Sequence, residues 1–238
     1  MDRWKFYKDI ILKYIPKNAH ILIIGASKKE IDIFYKLEYS NIVFSYFDGH
    51  LLKNINIEDY TNKFKFEKID ARNINYSNNF FDYSFAHAVI HHIDKPHLAV
   101  LEMYRVSNKG TLIIEGNDSY LMKLATYFNL SETYENSSID NVYKKGGLLE
   151  NGSPNYIYRW NEREVIKLLE SYEPSVIKKV FFEYSYDFFN KSLDNFGINK
   201  LVKLIIKIPA HLFLLIFPKQ GNLLSIFIDK QNSKTRKF

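Results

Sequence analysis

The feature that most constrains this chain is a repeated unit: a short apolar run ends in a glycine or a polar residue, and an amphipathic stretch follows. His20-Ile21-Leu22-Ile23-Ile24-Gly25 reads as a buried parallel strand ending in a turn, and Lys28 to Tyr39 as a helix. Asn41 to Phe47 is a second apolar run, ending at Asp48-Gly49. Phe64 to Ile69 is a third, ending at Asp70. Tyr83 to Val89 is a fourth, followed by a helix from about Pro96 to Arg105. Thr111 to Glu115 is a fifth, opening with a Lys109-Gly110 turn. Val176 to Tyr184 and Leu223 to Ile228 read as a sixth and seventh strand. Residues 3–15 form a helix that stops before Pro16. Such alternation implies βαβ units and a mostly parallel sheet covered by helices on both faces.

Polar groups collect where these strands end, at Gly25, Asp48, Asp70, His87 and Glu115. In an open α/β sheet, ligands bind at the carboxyl ends of the strands, so the pattern locates a site before any chemistry is named. With 238 residues, one substantial domain is expected. Cysteine is absent, which excludes disulfides, thiolate catalysis and Cys-ligated metal centres. The net charge of +6 is uneven: residues 189–238 carry nine Lys or Arg against Asp194 and Asp229, leaving the remainder slightly acidic. That distribution argues against a nucleic-acid-binding surface. The start, Met1-Asp2-Arg3-Trp4-Lys5, runs into a charged amphipathic stretch and not a signal-peptide core, so a cytoplasmic location is expected.

From Phe66 to Asp118 four segments stand in a fixed order: Asp70-Ala71, Phe81-Asp82, Val89-Ile90-His91-His92, and Leu101-Glu102-Met103-Tyr104-Arg105-Val106 with Lys109-Gly110. This block resembles the class I S-adenosylmethionine-dependent methyltransferases. The resemblance implies a Rossmann-like, seven-stranded α/β fold with S-adenosylmethionine as cofactor. It implies that Asp70, with the backbone of Ala71, meets the adenine, that Asp48 accepts the ribose hydroxyls, and that Gly25 and Ala26 approach the methionine end. Asp48 follows Gly25 by 23 residues, close to the roughly 20 expected for such an acid. Read without the resemblance, Asp48 before Gly49 also suits a simple turn, and Asp70 also suits a helix cap.

The first loop departs from the family. Where members have acid-x-Gly-x-Gly-x-Gly, this chain has Ile23-Ile24-Gly25-Ala26-Ser27-Lys28-Lys29, with one glycine and no acid. An alternative therefore stands beside the enzyme: a non-catalytic binding protein of this fold with a degenerate cofactor loop. For catalysis the candidates are His92 and His91, which follow the fourth strand and have the near-neutral pKa of a general base; His92 is preferred. The competing reading is that one packs under the next helix while the other makes local hydrogen bonds. His87 is expected to line the cofactor pocket. Four histidines between His87 and His97 invite a metal reading, but no H-E-x-x-H motif is present and no metal site is expected.

Glu115 is a candidate for acceptor binding, as are Tyr158 and Arg159 in Asn155-Tyr156-Ile157-Tyr158-Arg159-Trp160. Tyr158 and Trp160 equally suit a staple that fixes the helix beginning at the Asn161 cap. Residues 118–160 lack clear periodicity and read as a lid or substrate insert within a single domain spanning 1–238. The insert, the aromatic–Arg segment and the Phe217–Asn222 end resemble methyltransferases associated with bacterial surface-polysaccharide synthesis, which implies a sugar or sugar-phosphate acceptor. In the basic C-terminal segment, the longest uncharged run, Ile208 to Pro218, has 11 residues, well below the ~20 needed to span a bilayer. Lys200, Lys203, Lys207 and His211 form one polar stripe on an otherwise apolar helix. Packing of 200–217 on the core or on a dimer partner is preferred, with contact at the inner membrane face as the alternative.

Overall fold

The computed structural model describes residues 3–47, 56–135, 139–140, 145–146, 153–187 and 209–236. Helix α1 (Arg3–Tyr14) buries Phe6, Tyr7, Ile10 and Ile11 along one face. Strand β1 (Ile21–Ile24) is buried throughout. It lies between β2 (Ile42–Tyr46) and β4 (Phe81–His87), parallel to both. Strand β3 (Phe64–Lys68) continues the parallel set beyond β2, and β5 (Ser107–Gly116) continues it beyond β4. Helices α2 (Lys28–Lys36) and α3 (Pro96–Val106) connect strands, as the alternating pattern requires.

Within 118–160 lie helix α4 (Tyr120–Tyr127) and four two-residue strands: β6 (Tyr134–Glu135), β7 (Ile139–Asp140), β8 (Lys145–Gly146) and β9 (Asn155–Tyr156). Helix α4 was not legible as periodicity, because Tyr120, Leu124 and Tyr127 are exposed and only Met122 and Ala125 are buried. Helix α5 (Glu162–Tyr172) starts at the expected cap, with Asn161 accepting the Glu164 N–H at 3.0 Å. Strands β10 (Val176–Ser185) and β11 (Leu223–Thr235) form an antiparallel hairpin, and β11 also runs antiparallel to β5.

The seven-stranded sheet has the order β10-β11-β5-β4-β1-β2-β3. Its two faces carry separate cores. One packs α1 and α2 on Ile21, Ile23, Tyr83, Phe85 and Ile114; the other packs α3 and α5 on Leu22, Ile24, Ala86 and Ile113. Lys109-Gly110 is not the turn the sequence suggested. The pair lies inside β5, and Gly110 is required because a Cβ there would sit 2.7 Å from the Phe227 ring. Strand β11 runs past Ile228 because its polar end pairs with Val176 and Ile177 beyond a bulge.

Candidate active site

At the carboxyl end of β4 the chain turns sharply. Ala88 takes φ +48°, a left-handed conformation unusual for alanine, and a short 3₁₀ turn Ile90–His92 follows. The turn is organised around Glu115 of β5, which is fully buried. One oxygen of Glu115 accepts the N–H of Val89 at 2.8 Å and of Ile90 at 2.7 Å; the other meets His91 Nδ1 at 2.8 Å. Burial alone would raise the Glu115 carboxyl, but the His91 hydrogen bond and charge outweigh it, leaving the pKa below the ordinary value. For His91 burial acts downward, but the bond to Glu115 and the charges of Glu115 and Glu135 together outweigh it, so its pKa is raised. His92 is lowered by burial and by the charge of His91. It keeps 38% of its side chain exposed, against 13% for His91.

Two residues from the insert complete this cluster. The Asn155 side-chain amide hydrogen-bonds His92 Nδ1, and Glu135 places an oxygen 3.5 Å from His92 Nε2 and 3.9 Å from His91 Nε2. Neither insert residue was singled out from the sequence, since only the pairing of β6 with β9 brings them over the turn. His91, His92 and Glu135 offer ligand atoms within 4.8 Å of one another, a spacing that a divalent cation could bridge. Glu115, expected at the acceptor, spends its oxygens on the turn and on His91.

At the end of β1, Gly25 takes φ +56°, and a Cβ there would lie 2.5 Å from Val89 Cγ2. The loop thus passes against the histidine turn at its single glycine. Ala26 behind it is buried. Glu30, in the first turn of α2, accepts the Ser27 N–H at 2.6 Å and meets His87 Nδ1 at 2.5 Å. Both side chains of the pair are buried, and Trp4 and Tyr7 of α1 pack edge-on to the His87 ring. Ser27-x-x-Glu30 is a capping-box pattern, so a signal for Glu30 existed in the sequence.

Beyond β3, Asp70 is held by Arg72, whose backbone N–H and guanidinium both reach its carboxylate; NH2 to Oδ2 is 2.7 Å. These hydrogen bonds keep the Asp70 carboxyl below the usual range. Arg72 also donates to Asp94 at 2.8 Å and lies over the Phe47 ring. Ala71 is buried, and Asp48 lies outside the described residues. Tyr158 donates to Glu164 and lies 3.1 Å from His97. Arg159 donates to the Glu132 carbonyl at 2.8 Å and the Ser131 hydroxyl at 3.1 Å.

Residues 38–114 match the family described as methyltransferase domain. No curated protein matches the chain by sequence. Among solved structures, a Bacillus halodurans protein described as a methyltransferase superposes with a TM-score of 0.56 at 14% identity, covering 95% of this chain and 99% of its own. The likeness to a methyltransferase domain lies within residues 38–114. A Haemonchus contortus phosphoethanolamine N-methyltransferase, in complex with S-adenosylhomocysteine, shares the fold with a TM-score of 0.55 at 11% identity, covering 99% of this chain and 54% of that one. A [4+2]-cyclase has a TM-score of 0.56 at 11% identity, covering 94% and 80%.

Across the matched residues, the ordered motifs divide between site and scaffold. Val89 to His92 build the turn at the sheet edge. Glu102 and Arg105 instead brace the loop after Asp70: Glu102 accepts the Ile74 N–H at 2.8 Å, while Arg105 donates to the carbonyls of Ile74 at 2.7 Å and Tyr76 at 2.8 Å. Asp82 is likewise structural, accepting the His20 N–H at 3.0 Å and pairing with Lys109 at 2.9 Å.

Proposed function

We propose that this methyltransferase domain uses S-adenosylmethionine to methylate a hydroxyl group of a sugar or sugar-phosphate acceptor, in the synthesis of a surface glycan. The observation that carries the reading is the buried Glu115–His91 pair with His92 beside it, at the carboxyl ends of β4 and β5. When bound, S-adenosylmethionine supplies a methyl group already activated by a sulfonium. What remains for the protein is alignment of the acceptor and removal of its proton. Asp70 and the Ala71 backbone suit the adenine, Asp48 the ribose, and Gly25 and Ala26 the approach of backbone to the cofactor.

His92 is the proposed proton acceptor. Its lowered pKa keeps the ring neutral, it is the more exposed histidine of the pair, and Glu135 lies where it stabilises the cation once formed. His91, clamped by Glu115, positions its neighbour. Arg159 is partly buried, and burial lowers its pKa; among the described residues it meets a hydroxyl and a carbonyl but no carboxylate. An anionic acceptor group such as a phosphate supplies the missing charge, with Tyr158 alongside.

In this reading the chain acts as one domain spanning 1–238, with 118–160 over the acceptor. It works in the cytoplasm, and 200–217 serve as a contact with a second copy or with the inner face of the membrane. The second reading, a non-catalytic binding protein of the same fold, is favoured by the altered first loop. Calorimetry with S-adenosylhomocysteine separates the two. Binding in the micromolar range is expected, weakened about tenfold or more in Asp70→Ala. No heat at millimolar ligand sinks the enzyme reading. With an acceptor in hand, His92→Asn is expected to lower kcat about 100-fold or more. Turnover that survives a chelator distinguishes proton transfer to His92 from the work of a cation held by His91, His92 and Glu135.

A further inference from the structure

Three buried polar atoms, two on α1 and one at the end of β4, have no hydrogen-bond partner among the described residues: Arg3 Nε, Tyr7 OH and His87 Nε2. Buried polar groups are nearly always paired, so a group of three on two facing elements calls for a reason. Arg3 and Tyr7 are four residues apart on α1 and therefore share a helix face. The Tyr7 ring lies 4.8 Å from the His87 ring, and Trp4 closes on His87 at 5.6 Å. Lys29, from the altered loop, sits 4.1 Å over the Trp4 ring and ties α1 to the start of α2. Arg3 lies within electrostatic reach of His91.

The chemistry of the three atoms is complementary. Glu30 is an acceptor, and in the tautomer with the His87 proton on Nδ1 the ring presents Nε2 as a lone pair. Arg3 Nε is a donor only, and the Tyr7 hydroxyl has its proton to give. Two donors and one acceptor together match a carboxylate and an ammonium, the two ends of an α-amino acid. The position also fits. His87 ends β4 beside β1, where Ile24 pairs with Ala86 and Gly25 follows. Ile23, which stands where the family has its loop acid, belongs to the same buried cluster as Tyr7, and Glu30 brings a carboxylate to that face from α2.

We propose that the amino-acid end of S-adenosylmethionine is held beneath helix α1 by Arg3, Tyr7 and His87, in place of the glycine-rich loop this chain lacks. Arg3 and the Tyr7 hydroxyl take the carboxylate, and His87 Nε2 takes the ammonium. The inference rests on the cofactor reading above and goes beyond it by moving the amino-acid subsite from the loop to the N-terminal helix. Lys29 and Trp4 hold the helix over that subsite.

The test compares two ligands by calorimetry on the full chain: S-adenosylhomocysteine, and 5′-methylthioadenosine, which keeps the adenosine and loses the amino-acid end. Arg3→Ala is expected to weaken S-adenosylhomocysteine about tenfold or more, and Tyr7→Phe several-fold, while methylthioadenosine binds both variants as it binds the wild type. Retained methylthioadenosine binding also shows that each variant is folded. Unchanged S-adenosylhomocysteine affinity in both variants overturns the inference. So does equal affinity of the wild type for the two ligands, an outcome that leaves the cofactor reading standing. A wild-type chain that binds neither ligand overturns that reading, and this subsite with it.

Discussion

Glu115 shows how much one side chain decides at this site. It serves two backbone N–H groups and one imidazole from a position with no access to water, so its removal leaves three groups without partners. Glu115→Ala is expected to cost about 3–5 kcal/mol in a urea titration, and Glu115→Gln less, because the amide oxygen still accepts. The pH dependence has a definite sign. The Glu115 carboxyl lies below its ordinary 4.5 in the folded chain, so its contribution is present above that value and is lost as pH falls through the lower folded one. The His91 imidazole is raised above 6.5, so its contribution is complete below 6.5 and fades as pH rises through the folded value. Wild-type stability is therefore expected to decline on both sides of the window between the two, and Glu115→Gln to flatten the acid side. A wild-type profile no steeper in acid than that of the variant contradicts the assignment. These roles were not legible in the sequence. Glu115 reads there as a polar residue at a strand end, and only the register of β5 against β4 aims it under the turn.

Elements supply the rigidity that the short turns lack. Helix α3 presents Glu102 and Arg105 toward the loop after Asp70, and Arg105 caps the Ile74 and Tyr76 carbonyls while pairing with Glu102 at 2.7 Å. Arg105→Ala frees those carbonyls and leaves Glu102 without its cationic partner, held only by the Ile74 N–H. A loss of about 2–3 kcal/mol is expected by chemical denaturation, and Arg105→Lys restores only part of it because the fork geometry is lost. If the helix and loop are coupled this way, hydrogen exchange accelerates at Ile74 before it does in β1. Helices α1, α3 and α5 and the parallel strands were readable because periodicity and caps are local properties. Helix α4 was not, since its mostly exposed apolar residues break the pattern that burial would impose. The Lys109-Gly110 turn failed for a related reason: glycine marks a tight approach as often as a turn, and here the approach is Phe227.

At the scale of the whole molecule, no helix among the described residues is long and apolar enough to cross a membrane. The described end of the C-terminal segment is nonetheless apolar on its surface. In residues 209–217 Leu214 is buried, while Leu212, Phe213, Leu215, Ile216 and Phe217 are exposed. An apolar surface of this kind suits a contact outside the chain, either a second copy or a membrane. Lys200, Lys203 and Lys207 precede it in sequence. Sedimentation with anionic vesicles is expected for the wild type and to fall about tenfold in the double variant Leu215→Ser, Ile216→Ser. Equal sedimentation of the two proteins removes the membrane contact. The alternation of apolar strands and helices, read locally, determined the sheet, its covering and the edge on which the site lies, because burial on both faces writes itself into every strand. Tertiary structure alone decided which side chains meet at that edge. Glu30 with His87, Glu135 and Asn155 with His92, and Tyr7 with His87 are pairs distant in the chain, and their contact depends on strand register and helix placement that no local pattern records.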